Sequence, residues 1–157
     1  SDNLRSVQNA AVDNANKRKR VTNADDYKCI YSFTSSQRVR FLRKFTIACN
    51  TPFQGIASDG FKEAIILVFE HCFFKKDSVL YGCKPLLFIH DEIVLESPND
   101  TLVHNNARAD LLSALMVQGM QKHTPDVPAV VEPCLSKKWV KDAESIRNEQ
   151  GLLTIYT

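Results

Sequence analysis

The chain has 157 residues, of which 44% are hydrophobic and 24% are charged, and its formal net charge is +2. A chain of this length is predicted to form one domain around a buried core. Its apolar runs fall short of the ~20 residues that a membrane span requires, and no secretory signal is visible, so we expect no membrane partner.

The sulfur-containing residues give two further expectations. Five cysteines lie far apart, without the close pairs that structural zinc sites use: Cys29, Cys49, Cys72, Cys83 and Cys134. This pattern favours reduced thiols in a cytoplasmic protein. The only methionines are Met116 and Met120, so we expect the start at Ser1 to result from processing, cloning or truncation.

Basic residues are concentrated at the beginning of the chain. Residues 1–44 contain ten Lys or Arg and four Asp or Glu, net +6, whereas residues 45–157 contain ten and fourteen, net −4. The basic side chains form two clusters, residues 17–20 and the group Arg38, Arg40, Arg43 and Lys44. Both clusters suit a phosphate backbone. With about four phosphate contacts, the affinity for DNA would fall roughly a hundredfold as the salt concentration rises from about 50 to 200 mM. A solvated basic face or a flexible arm is the alternative.

The first predicted elements are a helix and one or two strands. Residues 3–20 have the pattern of a weakly amphipathic helix, and we assign residues 1–26 to a basic N-terminal helix or arm. Residues 27–47 mix aromatic, β-branched and basic side chains, which predicts one or two short strands. Residues 27–157 are assigned to one further unit.

A long helix is predicted to follow, with Asn50 as its N-cap and Pro52 in its first turn. Apolar residues recur there every three or four positions, which indicates a buried stripe formed by Phe53, Ala57, Phe61, Ala64, Val68 and Cys72. Gln54 falls on the opposite side of this helix. Its amide is therefore expected to be free to face a ligand.

The run Phe88–Val94 interrupts an apolar, strand-like stretch with three polar residues, His90, Asp91 and Glu92. Residues 85–89 are predicted to form a buried strand and residues 93–98 a second one, with the three polar residues in the reversal between them. Two carboxylates at an exposed hairpin tip suit a hard divalent cation such as Mg²⁺, which is usually held by one or two protein carboxylates plus substrate phosphates. A solvated polar turn is the simpler alternative.

The remaining segments complete an α+β pattern. Asn99 and Asp100 are candidate caps for a second amphipathic helix, which ends before Pro125 and has its apolar face at Val103, Ala107, Leu111, Leu112, Ala114, Leu115 and Met116. Residues 127–134 are predicted to form a final short strand. This order of elements predicts an α+β fold in which helices cover one face of a small antiparallel sheet.

Three segments resemble family A DNA polymerases, the polymerase I-like group. The turn at residues 90–92 resembles motif C of that family. Residues 50–62 resemble its Asn-x-Pro-x-Gln-Gly-x-x-Ala-Asp-x-x-Lys helix, with Ala57-Ser58-Asp59 where two alanines commonly precede the aspartate. Residues 125–144 resemble the C-terminal tail of bacteriophage members. The resemblance covers residues 38–157 and implies the polymerase palm, in the host cytoplasm if the protein is phage-encoded.

The resemblance implies a role for each residue of the turn. Asp91 would bind Mg²⁺ together with a motif A aspartate in a two-metal phosphoryl transfer, and Glu92 would lie beside the metals. His90, Gln54 and Asn50 would approach the primer terminus and the minor groove, where similar acceptors on all base pairs allow sequence-independent contacts.

The resemblance also assigns DNA contacts to the second basic cluster. Arg38 and Arg40 stand where the family has a Gly-Arg-x-Arg element, and Arg43 and Lys44 follow them. Gln37 replaces the glycine of this element, which leaves the local backbone conformation open because glycine is the residue that tolerates positive φ.

Two elements of the family have no counterpart in this sequence. No segment resembles motif A, with its Asp-Tyr/Phe-Ser-x-Ile-Glu pattern, or the fingers helix that binds the incoming deoxynucleoside triphosphate. The resemblance therefore implies the C-terminal palm part of a DNA polymerase that needs a complementary chain for both elements, such as a split subunit. Alone, it is not expected to extend primer–template DNA.

Two other functions remain open. A non-catalytic DNA-binding palm remnant would bind primer–template DNA regardless of metal. A metal-dependent hydrolase would combine the turn carboxylates with further ligands, although the available histidines lack metal-motif spacing: His71, His104 and His123. Trp139, the only tryptophan, is expected to fill the core because it follows a predicted strand.

Overall fold

A computed structural model describes the chain over residues 30–34, 36–42, 45–141 and 143–156. The predicted N-terminal arm lies outside these residues, as do Arg43 and Lys44. The described residues form an α+β fold, as predicted, with two long helices and three two-stranded sheets. Within these ranges, neither helix combines the length and the apolar character needed to cross a membrane.

The first two strands, β1 (Ile30–Phe33) and β2 (Val39–Leu42), form an antiparallel hairpin, as their composition predicts. The backbone N–H of Thr34 donates to the carbonyl of Arg38 (3.0 Å) and so closes the loop between them. Gln37 has a φ of 63°. The glutamine therefore adopts the left-handed backbone that glycine accommodates most easily.

The long helix α1 (Phe45–Phe69) begins five residues before the predicted N-cap, so the assignment of Asn50 as a cap and of Pro52 to the first turn is wrong. A proline inside a helix leaves the carbonyl four residues earlier without its usual N–H donor. In α1 the buried Thr51 hydroxyl donates to the carbonyl of Ile47 (2.7 Å), which adds a hydrogen bond to the turn that contains the proline. Residues 45–47, predicted as strand, are helical.

The residues buried on α1 are small or polar in its first half and apolar in its second half. Ala64 and Val68 are fully buried, as the apolar stripe predicts, and Cys72 is 1% exposed in the π-helical turn (Glu70–Phe74) that follows. Phe53 and Ala57 are exposed, which corrects the prediction for the first half. The residues buried there are small or polar, so apolar periodicity does not reveal them: Thr51, Pro52, Gly55, Asp59 and Gly60.

The second helix, α2 (Leu102–Gln121), ends before Pro125 as predicted. Its N-cap is Thr101, not Asn99 or Asp100. The Thr101 hydroxyl accepts a hydrogen bond from the N–H of His104 (3.3 Å) and so satisfies one of the donors that a helix start leaves open.

The two helices cross closely because a glycine lies at the contact. A Cβ at Gly119 of α2 would come within 2.4 Å of the backbone nitrogen of Ala64 in α1. Lys122, the C-cap of α2, adds an ion pair with Glu63 of α1 (2.5 Å). The predicted apolar face of α2 is confirmed at buried Leu115 and at Leu111, Leu112 and Met116, which pack against the core. It is wrong at the exposed Val103 and Ala114. The other buried positions of α2 are Asn106, Ala109 and Gly119.

The predicted antiparallel hairpin is formed by β3 (Lys84–Ile89) and β4 (Glu92–Glu96), with Glu92 as the first residue of β4 and not in the turn. The helices cover one face, where Ile93 is 8% exposed and packs against Val68, Cys72, Leu80, Cys83 and Leu115. The predicted burial of β3 is wrong. Three consecutive apolar side chains of β3 are exposed: Leu86 (54%), Leu87 (45%) and Phe88 (39%).

The C-terminal tail contains two short parallel strands, β5 (Leu135–Ser136) and β6 (Ile155–Tyr156). The strand predicted over residues 127–134 is not formed, since Pro128 and Pro133 lack the N–H of a strand ladder. Asn106 of α2 holds the tail: its amide donates to the carbonyl of Leu153 (3.0 Å) and accepts from the N–H of Leu153 (2.7 Å).

Candidate active site

The turn between β3 and β4 presents its polar side chains to solvent. Ile89 pairs with Glu92, so His90 and Asp91 alone form the reversal. His90 has a φ of 54°, in the left-handed region that non-glycine residues rarely occupy. Positive φ suits a two-residue hairpin turn because it follows the twist of the strands. The result is an exposed Asp91 at the tip of the hairpin.

Asp91 and Glu92 provide two exposed, consecutive carboxylates at this tip. Their oxygen donors fit Mg²⁺, which prefers carboxylate ligands. Among the residues that the structure describes, no group of three or more His, Cys, Asp or Glu side chains could hold a metal ion. Asp91 of the turn and Glu92 of β4 therefore offer at most two protein carboxylates to a cation.

Glu92 also contacts the C-terminal tail. The indole Nε1 of Trp139 donates to Oε1 of Glu92 (3.3 Å), although the two residues are 47 positions apart. Trp139 is 50% exposed, so its predicted place in the core is wrong. The sequence signal for a surface position is the set of lysines around it: Lys137, Lys138 and Lys141.

The structure does not bring Gln54 and Asn50 to the turn. Both side chains are exposed in the first half of α1, whereas the hairpin meets the end of α1, where the rings of Phe69 and Phe88 are 6.0 Å apart. Gln54 lies 15 residues before Phe69, which is roughly 22 Å along the axis of an α-helix. Gln54 and Asn50 therefore belong to a surface along α1 that extends away from this contact.

Of the basic residues predicted to contact DNA, Arg38 and Arg40 lie on the described β1–β2 hairpin. Arg38 forms an ion pair with Asp59 of α1, and its side chain is 37% exposed. Its Nε donates to the hydroxyl of Ser36 (3.1 Å). Arg40 is partly exposed and forms no ion pair with another described residue. Part of the hydrogen-bonding capacity of Arg38 is thus used within the fold.

The histidines considered as further metal ligands are spread over the fold: His71, His104 and His123. His71 Nδ1 is 2.9 Å from the hydroxyl of Ser78, and its Nε2 is 3.0 Å from the ammonium of Lys75. His104 Nδ1 is 3.1 Å from a carboxylate oxygen of Asp100. These contacts secure the loop before β3 and the start of α2.

Comparison with known proteins assigns the chain to a family. The sequence model of the protein family "DNA polymerase family A" matches residues 2–141 of the chain. The chain belongs to DNA polymerase family A, which confirms the predicted family.

The similar proteins include bacterial DNA polymerases. The thermostable DNA polymerase I of Thermus filiformis is 34% identical over 109 residues, which make up 68% of this chain and 12% of that polymerase. The thermostable DNA polymerase I of Thermus thermophilus is 34% identical over 110 residues, with the same coverage of 68% and 12%. The chain thus spans a small part of the length of the curated relatives it matches. No solved structure shows a significant match to it.

Proposed function

We propose that this chain is the C-terminal palm part of a DNA-directed DNA polymerase, in which Asp91 helps to hold two Mg²⁺ ions for nucleotidyl transfer. The observation that carries the proposal is the geometry of the β3–β4 turn, where Asp91 is exposed next to His90 at positive φ. Such a backbone costs about 1–3 kcal/mol at a non-glycine residue and is concentrated at functional sites. A turn that only reversed the chain would form more easily with glycine or asparagine at position 90.

The candidate site residues have distinct parts in this reaction. When bound, Mg²⁺ acts as a Lewis acid that activates the primer 3′-hydroxyl and stabilises the in-line transfer of the phosphoryl group. Asp91 supplies carboxylate oxygens to the cation site, and Glu92 provides the adjacent carboxylate. The exposed His90 side chain contacts the primer terminus. Gln54 and Asn50 contact the minor groove of the primer–template duplex along α1.

Exposed aromatic rings at the end of α1, in the π-helical turn and on β3 support the need for a further polymerase segment. The rings of Phe69, Phe73 and Phe88 form a row with centroid distances of 5.4 and 6.0 Å, and all three are more than a third exposed. Within the described residues β3 pairs only with β4, so its other edge is open to another strand.

We assign this surface to the segment that carries the motif A aspartate and precedes the fingers helix. The greater length of the relatives accommodates such a segment, since the matched region is 12% of each. Its aspartate would complete the cation site at Asp91, and the fingers helix would bind the deoxynucleoside triphosphate. The chain by itself is therefore inactive in this proposal.

The decisive experiment is primer extension with Mg²⁺ and four deoxynucleoside triphosphates, by the chain alone and after mixing with a segment that carries motif A and the fingers. Activity is expected only in the mixture. Asp91→Ala should abolish it and leave duplex binding within a few-fold, whereas Asp110→Ala, the same change at an exposed position of α2, should retain it.

Each other outcome contradicts a specific part of the proposal. Near-normal activity of Asp91→Ala would refute its role as a metal ligand. Extension by the chain alone would refute the need for a complementary segment. Duplex binding without activity in the mixture would favour the non-catalytic DNA-binding remnant.

A further inference from the structure

Trp139 links the C-terminal tail to the candidate active site. It is the only tryptophan of the chain, and its Nε1 donates to Oε1 of Glu92 at 3.3 Å. Half of the residue is exposed, so this tryptophan is not used mainly to fill the core. The hydrogen bond is its specific polar contact with the β3–β4 hairpin.

The fold holds the backbone that carries this indole. β5 ends at Ser136 and pairs with β6, and the hydroxyl of Ser136 bonds to both backbone groups of Lys138, the carbonyl at 2.5 Å and the N–H at 3.3 Å. Leu153, just before β6, is fully buried and bound to Asn106 of α2. Trp139 thus follows a strand and a turn that are attached to α2, and its position is set by tertiary structure.

The chemistry of an indole suits the orientation of a carboxylate beside a cation. An exposed glutamate occupies several rotamers, and a hydrogen bond to a placed donor favours one of them. The indole N–H is only a donor and carries no charge. It therefore holds Oε1 without placing a positive charge near the cation, as a lysine or arginine would do. Oε2 remains available to a cation or to water bound to it.

We propose that Trp139 is a positioning residue for Glu92, which holds Oε1 so that Oε2 serves the divalent cation site at Asp91. This inference rests on the proposed function of the turn, because it requires a cation next to Asp91. It assigns to the tail a part in catalysis that acts through Glu92 and not through contact with the substrate.

The test uses the active polymerase that contains this chain. Trp139→Phe keeps an aromatic ring and removes the N–H, and Tyr81→Phe is the matched control because it removes a donor from another exposed aromatic residue. Two quantities are measured: the Mg²⁺ concentration for half-maximal primer extension, and the Mn²⁺ affinity by electron paramagnetic resonance with a dideoxy-terminated primer. The second readout involves no turnover.

We expect Trp139→Phe to raise the half-maximal Mg²⁺ concentration and to weaken Mn²⁺ binding, each by about three- to tenfold, the size expected for the net loss of one ordinary, solvent-exposed hydrogen bond. Tyr81→Phe should change neither. In a Glu92→Ala background, Trp139→Phe should have no further effect. Duplex affinity and the unfolding midpoint should stay unchanged, since the ring is half exposed.

The outcomes separate this inference from the proposed function. If Asp91→Ala is inactive but Trp139→Phe has normal Mg²⁺ dependence and Mn²⁺ affinity, the positioning role is overturned and the proposed function stands. Near-normal activity of Asp91→Ala overturns the proposed function itself. An effect of Trp139→Phe that persists without Glu92, or that appears as weaker duplex binding, would show that the ring contacts DNA and would also overturn the positioning role.

Discussion

The guanidinium of Arg38, on the β1–β2 hairpin, binds the carboxylate of Asp59, which is 3% exposed on α1. The backbone N–H of Ser36 donates to the other oxygen of the same carboxylate (3.1 Å). One buried side chain thus attaches the loop of the hairpin to the helix, next to Gly55, where a Cβ would come within 2.9 Å of the Thr34 side chain. The ion pair positions the arginine-bearing hairpin on α1.

Asp59→Asn should destabilise the fold, because it removes the charge and keeps the size of a buried side chain. Arg38 and Ser36 then lose a charged acceptor, and we expect the free energy of unfolding to fall by about 1.5–3 kcal/mol. Urea denaturation measures this change. Asp110→Asn, at an exposed position, is the control and should change stability by less than about 0.5 kcal/mol. Equal stability of both variants would contradict the structural role of the pair.

Asn106→Ala should release the C-terminal tail before the rest of the protein unfolds. The N–H and carbonyl of buried Leu153 lose their partner, and each unsatisfied group costs about 1–3 kcal/mol. Limited trypsin digestion should therefore cut after Arg147 faster than in the unchanged protein. Gln118→Ala, exposed on the same helix, should leave the rate unchanged. If both variants resist trypsin equally, Asn106 does not hold the tail.

Gly119→Ala tests the close crossing of α1 and α2. Alanine favours a helix over glycine by about 1 kcal/mol, so an open position would gain stability. At Gly119 the new Cβ would lie 2.6 Å from the Cα of Ala64, and the helices would have to separate. We expect a net loss of about 1–3 kcal/mol, measured by thermal unfolding against Gln118→Ala. A higher melting temperature for Gly119→Ala would contradict the crossing.

His71 should make stability depend on pH. Burial, and then the neighbouring Lys75 ammonium, lower the pKa of His71 from 6.5, against a smaller opposing effect of Glu70. The folded state then binds a proton less readily than the unfolded chain. Its contribution to stability is present above pH 6.5 and is lost as the pH falls below that value toward the folded pKa.

The corresponding measurement is the free energy of unfolding at several pH values between about 7.5 and 5.5. His71→Gln should flatten the decrease in stability toward acid, whereas His104→Gln, which removes an exposed histidine, should preserve it. The same slope in the protein and in His71→Gln would show that His71 is not the group responsible.

Arg40→Ala is the cleaner test of DNA binding by the β1–β2 hairpin, because Arg38→Ala would also break the pair with Asp59. Loss of one phosphate contact should weaken duplex binding and reduce the slope of log affinity against log salt by about 0.9. Fluorescence anisotropy over a range of salt concentrations measures both quantities. An unchanged slope would show that Arg40 makes no contact with a DNA phosphate.

Local patterns predicted the elements whose burial follows apolar periodicity. The turn at His90 and Asp91 is visible as a polar interruption of an apolar run, and the second half of α1 buries Ala64 and Val68 as its 3.6-residue period requires. The first half of α1 escaped prediction because its buried residues were selected by small size or by a distant partner. The spacing of apolar residues indicates neither small size nor a distant partner.

The sequence by itself determined the α+β class, the two helices, the β3–β4 hairpin and the motifs of DNA polymerase family A, since these depend on residues close together in the chain. Tertiary structure decided the burial of Asp59 and Asn106 and the contact of Trp139 with Glu92. The partners of these side chains lie 21 to 47 residues away. A polar group is buried only where such a partner compensates for its lost hydration, and the partner is brought into place only by folding.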